Sequence, residues 1–288
     1  MFQPLPLSIG LRYLRARRRD RRISFTSAAS ILGIVIGVMA LITVIAVMSG
    51  FQREIRDRLL GSVAHVTFVG YGAPLEAWPT VLETARADAR VVGAAPYVQR
   101  EGLLSGARTS AGLVMGIRPE DERGVSELAT RMREGSIDDL VDGGFGIVLG
   151  DQLAIALGAR VGDRINVTLN EFTSTPIGAL PRSKRFTVVG TFSMGEHTAD
   201  STFAFIALGD AQRLLRLGDA VSGVRVKVAD LWTAGTVADE LAARIDAPVM
   251  ASDWMRDNRN FFSALALERT VMFLLLSLVV TIASFNLV

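Results

Sequence analysis

Cysteine is absent from this 288-residue chain, and histidine occurs only twice, as His65 and His197. The absence of cysteine excludes disulfides and thiolate metal sites. The two histidines lie in separate predicted lobes, and no acidic residues have the spacing of a calcium or magnesium loop. Because His65 falls on a predicted strand, we expect it to have a structural role. The sequence therefore predicts no metal site, no cofactor and no catalytic constellation.

Nucleotide-binding motifs are missing as well. No G-x-x-x-x-G-K-[ST] segment occurs, so the chain has no phosphate-cradling loop of that type and cannot hydrolyse ATP by that route. Any energy must come from a partner. The run Gly144–Gly150 (GFGIVLG) is rich in glycine, but we predict that its glycines flank a strand. A dinucleotide loop instead needs glycines that open a strand-to-helix turn. We therefore expect that the chain is not an enzyme of this kind.

Charge is distributed unevenly along the chain. The formal net charge is +2, but residues 1–22 carry seven arginines and one aspartate, which leaves a net charge of −4 for the remainder. That remainder lacks the basic surface that nucleic-acid binding requires. Residues 23–52 contain no charged side chain and, at ~1.5 Å per residue, are long enough to cross a ~30 Å hydrocarbon core. We predict a first transmembrane helix at 23–52, with the amphipathic and basic segment 1–22 in the cytoplasm.

A cleaved export signal is the alternative interpretation of this start. Such a signal has an apolar core of ~7–15 residues and a small-residue cleavage site, whereas this run is about twice as long and no Ala-x-Ala closes it. Residues 270–288 form another uncharged run, which predicts a second membrane span. This run has no basic flank, so we expect the protein to continue beyond Val288.

Between the two runs, residues 53–269 show the patterns of an extracytoplasmic α+β domain. We predict two strand-helix-strand units, with strands at 65–69 and 91–101 around a helix near 78–85, and strands at 223–228 and 248–252 around a helix at 231–245. An inserted β-rich lobe spans about residues 103–217. Its predicted elements are strands at 113–117, 147–149, 165–169, 186–192 and 203–208, and short helices at 151–157 and 210–215.

One segment of the inserted lobe interrupts the alternation of its strands. Residues 170–185 (NEFTSTPIGALPRSKR) contain two prolines, a glycine and a basic end. We predict a protruding loop between two strands. Prolines reduce the entropy that a loop loses when a partner captures it, so this composition is compatible with docking. A solvated hairpin without a partner is the alternative.

Three stretches resemble the LolC/LolE family: IGLRY at 9–13, the segment from Gly33 to GVMAL at 37–41, and VMSGFQRE at 47–54. Members of this family are membrane subunits of the ABC transporter that releases lipoproteins from the inner membrane of Gram-negative bacteria. The similarity extends over the whole chain and includes GDQLA at 150–154 and FTVVGTF at 186–192. Glycine-aspartate turns such as Gly162-Asp163 also occur in the wider group of MacB-like permeases.

The resemblance implies a MacB-like permease architecture in the bacterial inner membrane, multi-pass, with the large domain in the periplasm. It also implies four partners: a cytoplasmic ATPase subunit, a second membrane subunit that is identical or homologous, a periplasmic lipoprotein carrier and the lipoprotein substrate. The lipoprotein cavity would be lined by Ala40, Val44, Val47, Met48 and Phe51. Ordinary lipid-facing or packing roles are the alternative for these five side chains.

For the proline-containing segment the resemblance implies a site that binds the carrier. The carrier-binding hook would comprise Asn170, Phe172, Thr175, Pro176, Ile177, Gly178 and Pro181, and the carrier-binding pad would comprise Ser183, Lys184 and Arg185. Asn166 is a departure, since LolC-like relatives can carry a basic pad residue there. The implied function is extraction of lipoproteins from the inner membrane and their transfer to a periplasmic carrier. Another MacB-like permease and a two-span periplasmic sensor are the alternative functions.

Overall fold

A computed structural model describes residues 31–33, 35–40, 42–50, 64–175 and 178–287. The predicted cytoplasmic segment 1–22 lies outside the described residues. The chain divides into two units, one formed by residues 1–56 with 259–288 and the other by residues 57–258. Along the chain the helices and strands are α1 (Ile31–Gly50), β1 (Val66–Gly70), α2 (Trp78–Arg86), β2 (Val91–Ser105), β3 (Thr109–Ile117), α3 (Pro119–Val125), β4 (Met132–Glu134), β5 (Gly146–Gly150), α4 (Asp151–Leu157), β6 (Arg164–Thr175), β7 (Gly178–Phe192), α5 (His197–Thr202), β8 (Phe203–Ala207), α6 (Leu208–Leu215), β9 (Gly223–Val228), α7 (Ala234–Arg244), β10 (Val249–Asp253), α8 (Trp254–Asp257) and α9 (Arg259–Leu287). Three short 3-10 turns cover Leu128–Thr130, Ile137–Asp139 and Leu231–Thr233.

Two long apolar helices belong to the first unit. Within the described part of the chain, α1 is the one helix that qualifies as a membrane span by length and composition, with 20 residues and a mean hydropathy of 2.9. Its described side chains are largely exposed, although a helix that is apolar on every face is normally buried in a protein core or in a membrane. The second predicted span, residues 270–288, falls within the 29-residue helix α9 over its described residues. That α9 crosses a membrane stays a prediction.

In the larger unit, the two predicted strand-helix-strand units form one layered structure. Strands β10, β1, β9 and the first half of β2 are neighbours in that order, and every pair is antiparallel. Helices α2 and α7 contribute to the core of this layer, because each has apolar residues on one face. The buried residues are Val81, Leu82 and Ala85 of α2, and Ala234, Val237, Ala238 and Leu241 of α7. The α+β class predicted from the sequence is confirmed.

The inserted lobe is a closed barrel of six strands. The second half of β2 pairs with β3, and pairing then continues through β8, β5, β7 and β6 before β6 returns to β2. Strands β5 and β8 are buried on both faces, since alternate side chains join different cores. Ile147 and Ile206 belong to the main core, whereas Val148 and Phe205 pack with Leu128 of a 3-10 turn. Burial on both faces explains their continuous apolar sequences.

Two sequence-based predictions for this lobe are wrong. Residues 170–185 are not a loop between strands, because β6 continues to Thr175 and β7 begins at Gly178. Pro181 is tolerated since β7 pairs on one side only at that point, among the described strands, and an edge strand can lack a donor. The second wrong prediction is that no glycine of the run 144–150 opens a strand-to-helix turn. Gly150 lies at such a turn, between β5 and α4. A Cβ atom at Gly150 would overlap the carbonyl oxygen of Asp200 in α5, so this glycine is required by backbone packing.

Candidate functional site

A two-stranded arm extends from the barrel at the position of the predicted hook. The last pair between β2 and β6 joins Gly102 to Leu169, and beyond it the described part of β6 pairs only with β7. We call residues 170–181 the arm. Five residues of the predicted hook belong to the described strands of the arm: Asn170, Phe172, Thr175, Gly178 and Pro181. The other two, Pro176 and Ile177, lie outside the described residues. The structure therefore places five of the seven hook residues on one projecting hairpin.

At the base of the arm, polar side chains share one face of the hairpin. Residues opposite each other in an antiparallel pair lie on the same side, and alternate residues lie on opposite sides. Asn166 opposes Arg185, and the guanidinium Nε donates to the amide Oδ1 over 3.4 Å. Thr168 opposes Ser183, and their hydroxyl oxygens are 3.0 Å apart. We call these four residues the outer face.

Lys184 belongs to the opposite side of the hairpin. It opposes the buried Val167, and its Nζ lies 4.1 Å from the centre of the Phe145 ring. An ammonium over an aromatic face is attracted by the ring quadrupole. The predicted pad is thus divided, because Ser183 and Arg185 share the outer face while Lys184 lies against Phe145.

The Phe145 ring is held by a strained turn. Its backbone has a φ of +50°, which is uncommon for a residue with a side chain. The backbone N–H groups of Gly143 and Phe145 donate to the two carboxylate oxygens of Asp210, at 2.8 and 2.9 Å. Asp210 is fully buried at the start of α6 and also accepts from Arg213 at 2.8 Å. Sequence reasoning missed Asp210, since nothing in its local pattern points to a partner more than 60 residues away.

The predicted cavity residues form one stripe on α1. Ala40, Val44, Val47 and Met48 recur at helical spacing, and the first three are exposed while Met48 is half-buried. Phe51 lies outside the described residues. Exposure on one stripe suits both a cavity lining and a lipid-facing surface, so the lining role stays a prediction.

The buried carboxylates of the larger unit have structural partners. Within the described residues, no three histidine, aspartate or glutamate side chains come close enough to hold a metal ion. Asp200 accepts from the backbone of Met194 at 2.6 Å, and Asp253 caps α8. Glu122 forms a 2.5 Å ion pair with Arg225. Burial raises the pKa of the Tyr97 hydroxyl beside this pair. These contacts give the three carboxylates structural roles.

Comparisons with known proteins relate the whole chain to membrane proteins. Residues 27–244 match the model of the MacB-like periplasmic core domain. The lipoprotein-releasing system transmembrane protein LolC of Xylella fastidiosa (strain Temecula1 / ATCC 700964) is 49% identical over 288 residues, which is 100% of this chain and 70% of that protein. LolC of Neisseria meningitidis serogroup B is 42% identical, over 97% of this chain and 68% of the relative.

A LolE protein and a solved structure are also similar. The lipoprotein-releasing system transmembrane protein LolE of Haemophilus influenzae is 26% identical, over 98% of this chain and 69% of the relative. The crystal structure of the periplasmic region of MacB from Actinobacillus actinomycetemcomitans aligns with a TM-score of 0.47 at 15% identity. That alignment covers 70% of this chain and 94% of the MacB chain.

Proposed function

The chain belongs to the LolC/LolE family of lipoprotein-releasing transmembrane proteins, and we propose that it is a membrane subunit of an ABC transporter that extracts lipoproteins from the bacterial inner membrane. A separate cytoplasmic ATPase subunit supplies ATP hydrolysis, since the chain contains no phosphate-cradling loop. A second membrane subunit, identical or homologous, completes the membrane part. The similarity to LolC proteins along the whole chain supports this function over that of another MacB-like permease or a sensor.

The membrane topology follows from the charge pattern. The seven arginines of residues 1–22 keep that segment in the cytoplasm by the positive-inside rule. The first span then places the larger unit in the periplasm, and the second span returns the chain toward the cytoplasm. Acyl chains of the substrate contact the stripe on α1 that contains Ala40, Val44, Val47 and Met48.

The arm delivers the lipoprotein to a soluble periplasmic carrier by capturing that carrier. The single observation behind this proposal is the projection of the hairpin beyond Leu169, where β6 leaves the barrel. Beyond Leu169 the described part of β6 pairs with one strand only, so the other edge of its backbone is open to a partner. Proline fixes its own φ, so Pro176 lowers the entropy that its segment of the chain loses on capture.

The outer face of the arm base supplies the charge at the rim of this contact. Arg185 is exposed and has the neutral amide of Asn166 as its neighbour, so its charge is available to carboxylates of a carrier. Lys184 is also exposed, but its Nζ lies over the Phe145 ring and not on the outer face. Rim charges act mainly on the association rate and on its salt dependence. We therefore assign the steering role to Arg185 before Lys184.

A titration of the purified full chain in detergent with the carrier tests this function. Replacing Pro176 by Gly and Ile177 by Ser should weaken binding by about 1–3 kcal/mol, the scale of a lost anchor. The control changes Ala107 to Gly and Thr109 to Ser at the β2–β3 hairpin, and it should bind like the wild type. Unchanged affinity in the folded arm variant would contradict the proposal and leave the arm as a solvated hairpin.

The same titration, followed as a function of time, distinguishes the effects of Arg185 and Lys184 on the rate of carrier association. Arg185→Glu should slow association, and the slowing should shrink at high salt because screening acts on exposed charges. Lys184→Glu should change the association rate less. An equal or larger effect at Lys184 would contradict the division of the pad.

A further inference from the structure

The base of the arm contains an irregularity that a plain hairpin would not have. Leu169 of β6 opposes Arg182 of β7, but the next pair joins Phe172 to Pro181. Two residues of β6, Asn170 and Glu171, therefore stand where β7 has none. Such bulges bend a strand and interrupt its ladder, so the arm meets the barrel at a point where its direction is not fixed by backbone pairing alone.

The carboxylate of Glu171 lies in this bulge and bridges two strands. One oxygen accepts from Arg100 Nε of β2 at 3.0 Å, and the other accepts from Arg182 Nη1 of β7 at 3.0 Å. β2 belongs to the barrel and does not continue into the arm. The bridge thus ties the first residues of the arm to a strand with which they form no backbone pair.

Both arginines are themselves anchored to the body of the larger unit. Arg100 Nη1 donates to the carbonyl of Gln99 at 2.8 Å and to the hydroxyl of Ser222 at 3.3 Å. Arg182 Nη1 also donates to the carbonyl of Leu215, the last residue of α6. These contacts reduce the freedom of both guanidinium groups, so less entropy is lost when they hold the carboxylate.

We propose that Arg100, Glu171 and Arg182 form a clamp that fixes the direction of the arm and thereby sets the affinity for the carrier. This inference rests on the proposed carrier-binding function. Glu171 is a positioning residue, since it acts through the arm. The side chains of Arg100, Glu171 and Arg182 are 37%, 35% and 21% exposed, so water and salt weaken their attraction without abolishing it.

The clamp is tested by Glu171→Gln, which keeps the shape of the side chain. The amide retains one acceptor oxygen but places an NH2 group toward one guanidinium, so one of the two charge-assisted bonds is lost. We expect carrier affinity to fall about twofold to fivefold, in line with the loss of a partly exposed ion pair. The matched control is Glu127→Gln, since Glu127 is 37% exposed and is bound by Arg131 at 2.9 Å.

A direct measurement of arm direction separates the clamp from the carrier function. The chain has no native cysteine, so spin labels attach only at introduced positions, here Ser174→Cys on the arm and Glu83→Cys on α2. Pulsed electron paramagnetic resonance should give a narrow distance distribution in the otherwise wild-type chain. Glu171→Gln should broaden it, whereas Glu127→Gln should not.

The outcomes of the two measurements are distinct. An unchanged distribution in Glu171→Gln would overturn the clamp, whether or not the carrier binds. A broadened distribution with unchanged affinity would also overturn it, because the proposal requires both effects. Failure of the wild-type chain to bind carrier would instead refute the proposed function, while the distance measurement would still decide whether Glu171 orients the arm.

Discussion

Replacing Asp210 by Asn tests how the turn under Lys184 is held. The carboxylate accepts two backbone N–H groups from a turn in which Phe145 has a φ of +50°. Asn keeps one acceptor oxygen, but its NH2 group faces the second N–H and cannot accept from it. The variant therefore loses one hydrogen bond to a charged group and leaves a backbone donor without its partner.

The expected cost follows from those two losses. A hydrogen bond to a charged group contributes about 1.5–3 kcal/mol, and an unsatisfied buried donor costs about 1–3 kcal/mol. The donors of this turn are only partly buried, so we expect a total near the lower part of the combined range, about 3 kcal/mol. For a domain of about 200 residues this corresponds to a fall in Tm of roughly 6–12 °C.

Thermal unfolding of the full chain in detergent, followed by circular dichroism, measures this shift. Asp142→Asn is the matched control, because Asp142 is exposed and accepts one N–H, that of Gly209, at 2.8 Å. Its Tm should fall by less than about 3 °C, as expected for one exposed hydrogen bond. A fall in Asp210→Asn no larger than that of the control would refute the reasoning.

A second background isolates the strain at Phe145. Glycine adopts positive φ without steric cost, so in Phe145→Gly the Asp210 carboxylate no longer has to offset the strain at residue 145. Asp210→Asn should then cost less than it does in the wild-type background. Equal costs in both backgrounds would mean that Asp210 supports the barrel without constraining Phe145.

Two further predictions concern the strand-helix layer. Arg90 donates to both oxygens of Asp88 and holds the pKa of that carboxyl well below its usual range. A carboxyl whose pKa is lower in the folded chain than in the unfolded chain stabilises the fold above the unfolded value of about 3.9. This stabilisation is lost progressively as the pH falls from that value toward the pKa of the folded chain. Asp88→Asn should therefore lower the Tm at pH 7 and have a smaller effect at pH 3. Gly93→Ala should destabilise by about 1–3 kcal/mol in chemical unfolding, because its Cβ would overlap the Gly124 carbonyl oxygen. Gly124→Ala is the matched change, since its Cβ would meet only the Gly93 Cα at 3.4 Å, and it should be neutral or slightly stabilising.

Elements with strong local signals could be predicted from the sequence. The predicted helix at 151–157 and the predicted strand at 223–228 have the bounds found in the structure. In the first case an acidic residue opens an apolar repeat that ends before Gly158, which has a φ of +64° and caps the helix. In the second case apolar and basic residues alternate over six positions. Periodicity was sufficient because each element carries its own pattern.

Elements that depend on distant contacts could not be predicted. Helix α3, residues 119–125, carries three acidic residues in its first turn and no apolar stripe, and two of them are buried because distant arginines pair with them. Arg225 reaches Glu122 from more than 100 residues away. No local pattern shows that a carboxylate will be buried, because burying a charge is unfavourable unless a partner offsets the loss of hydration. The strands of the arm could not be predicted for the same reason, because β6 and β7 continue past the barrel only by pairing with each other.

The divided pad shows how the structure changes the interpretation of adjacent residues. Ser183, Lys184 and Arg185 are consecutive in sequence, so a loop would present all three to one partner. In a strand, consecutive side chains point to opposite faces, and Lys184 opposes the buried Val167 while its neighbours oppose Thr168 and Asn166. The cation available to a partner at the outer face is then Arg185. A guanidinium can hold a carboxylate with two parallel hydrogen bonds, whereas an ammonium acts as a point charge. A carrier that docks on this face should therefore meet a geometrically specific cation beside the arm, and Arg185→Lys should weaken the contact although it preserves the charge.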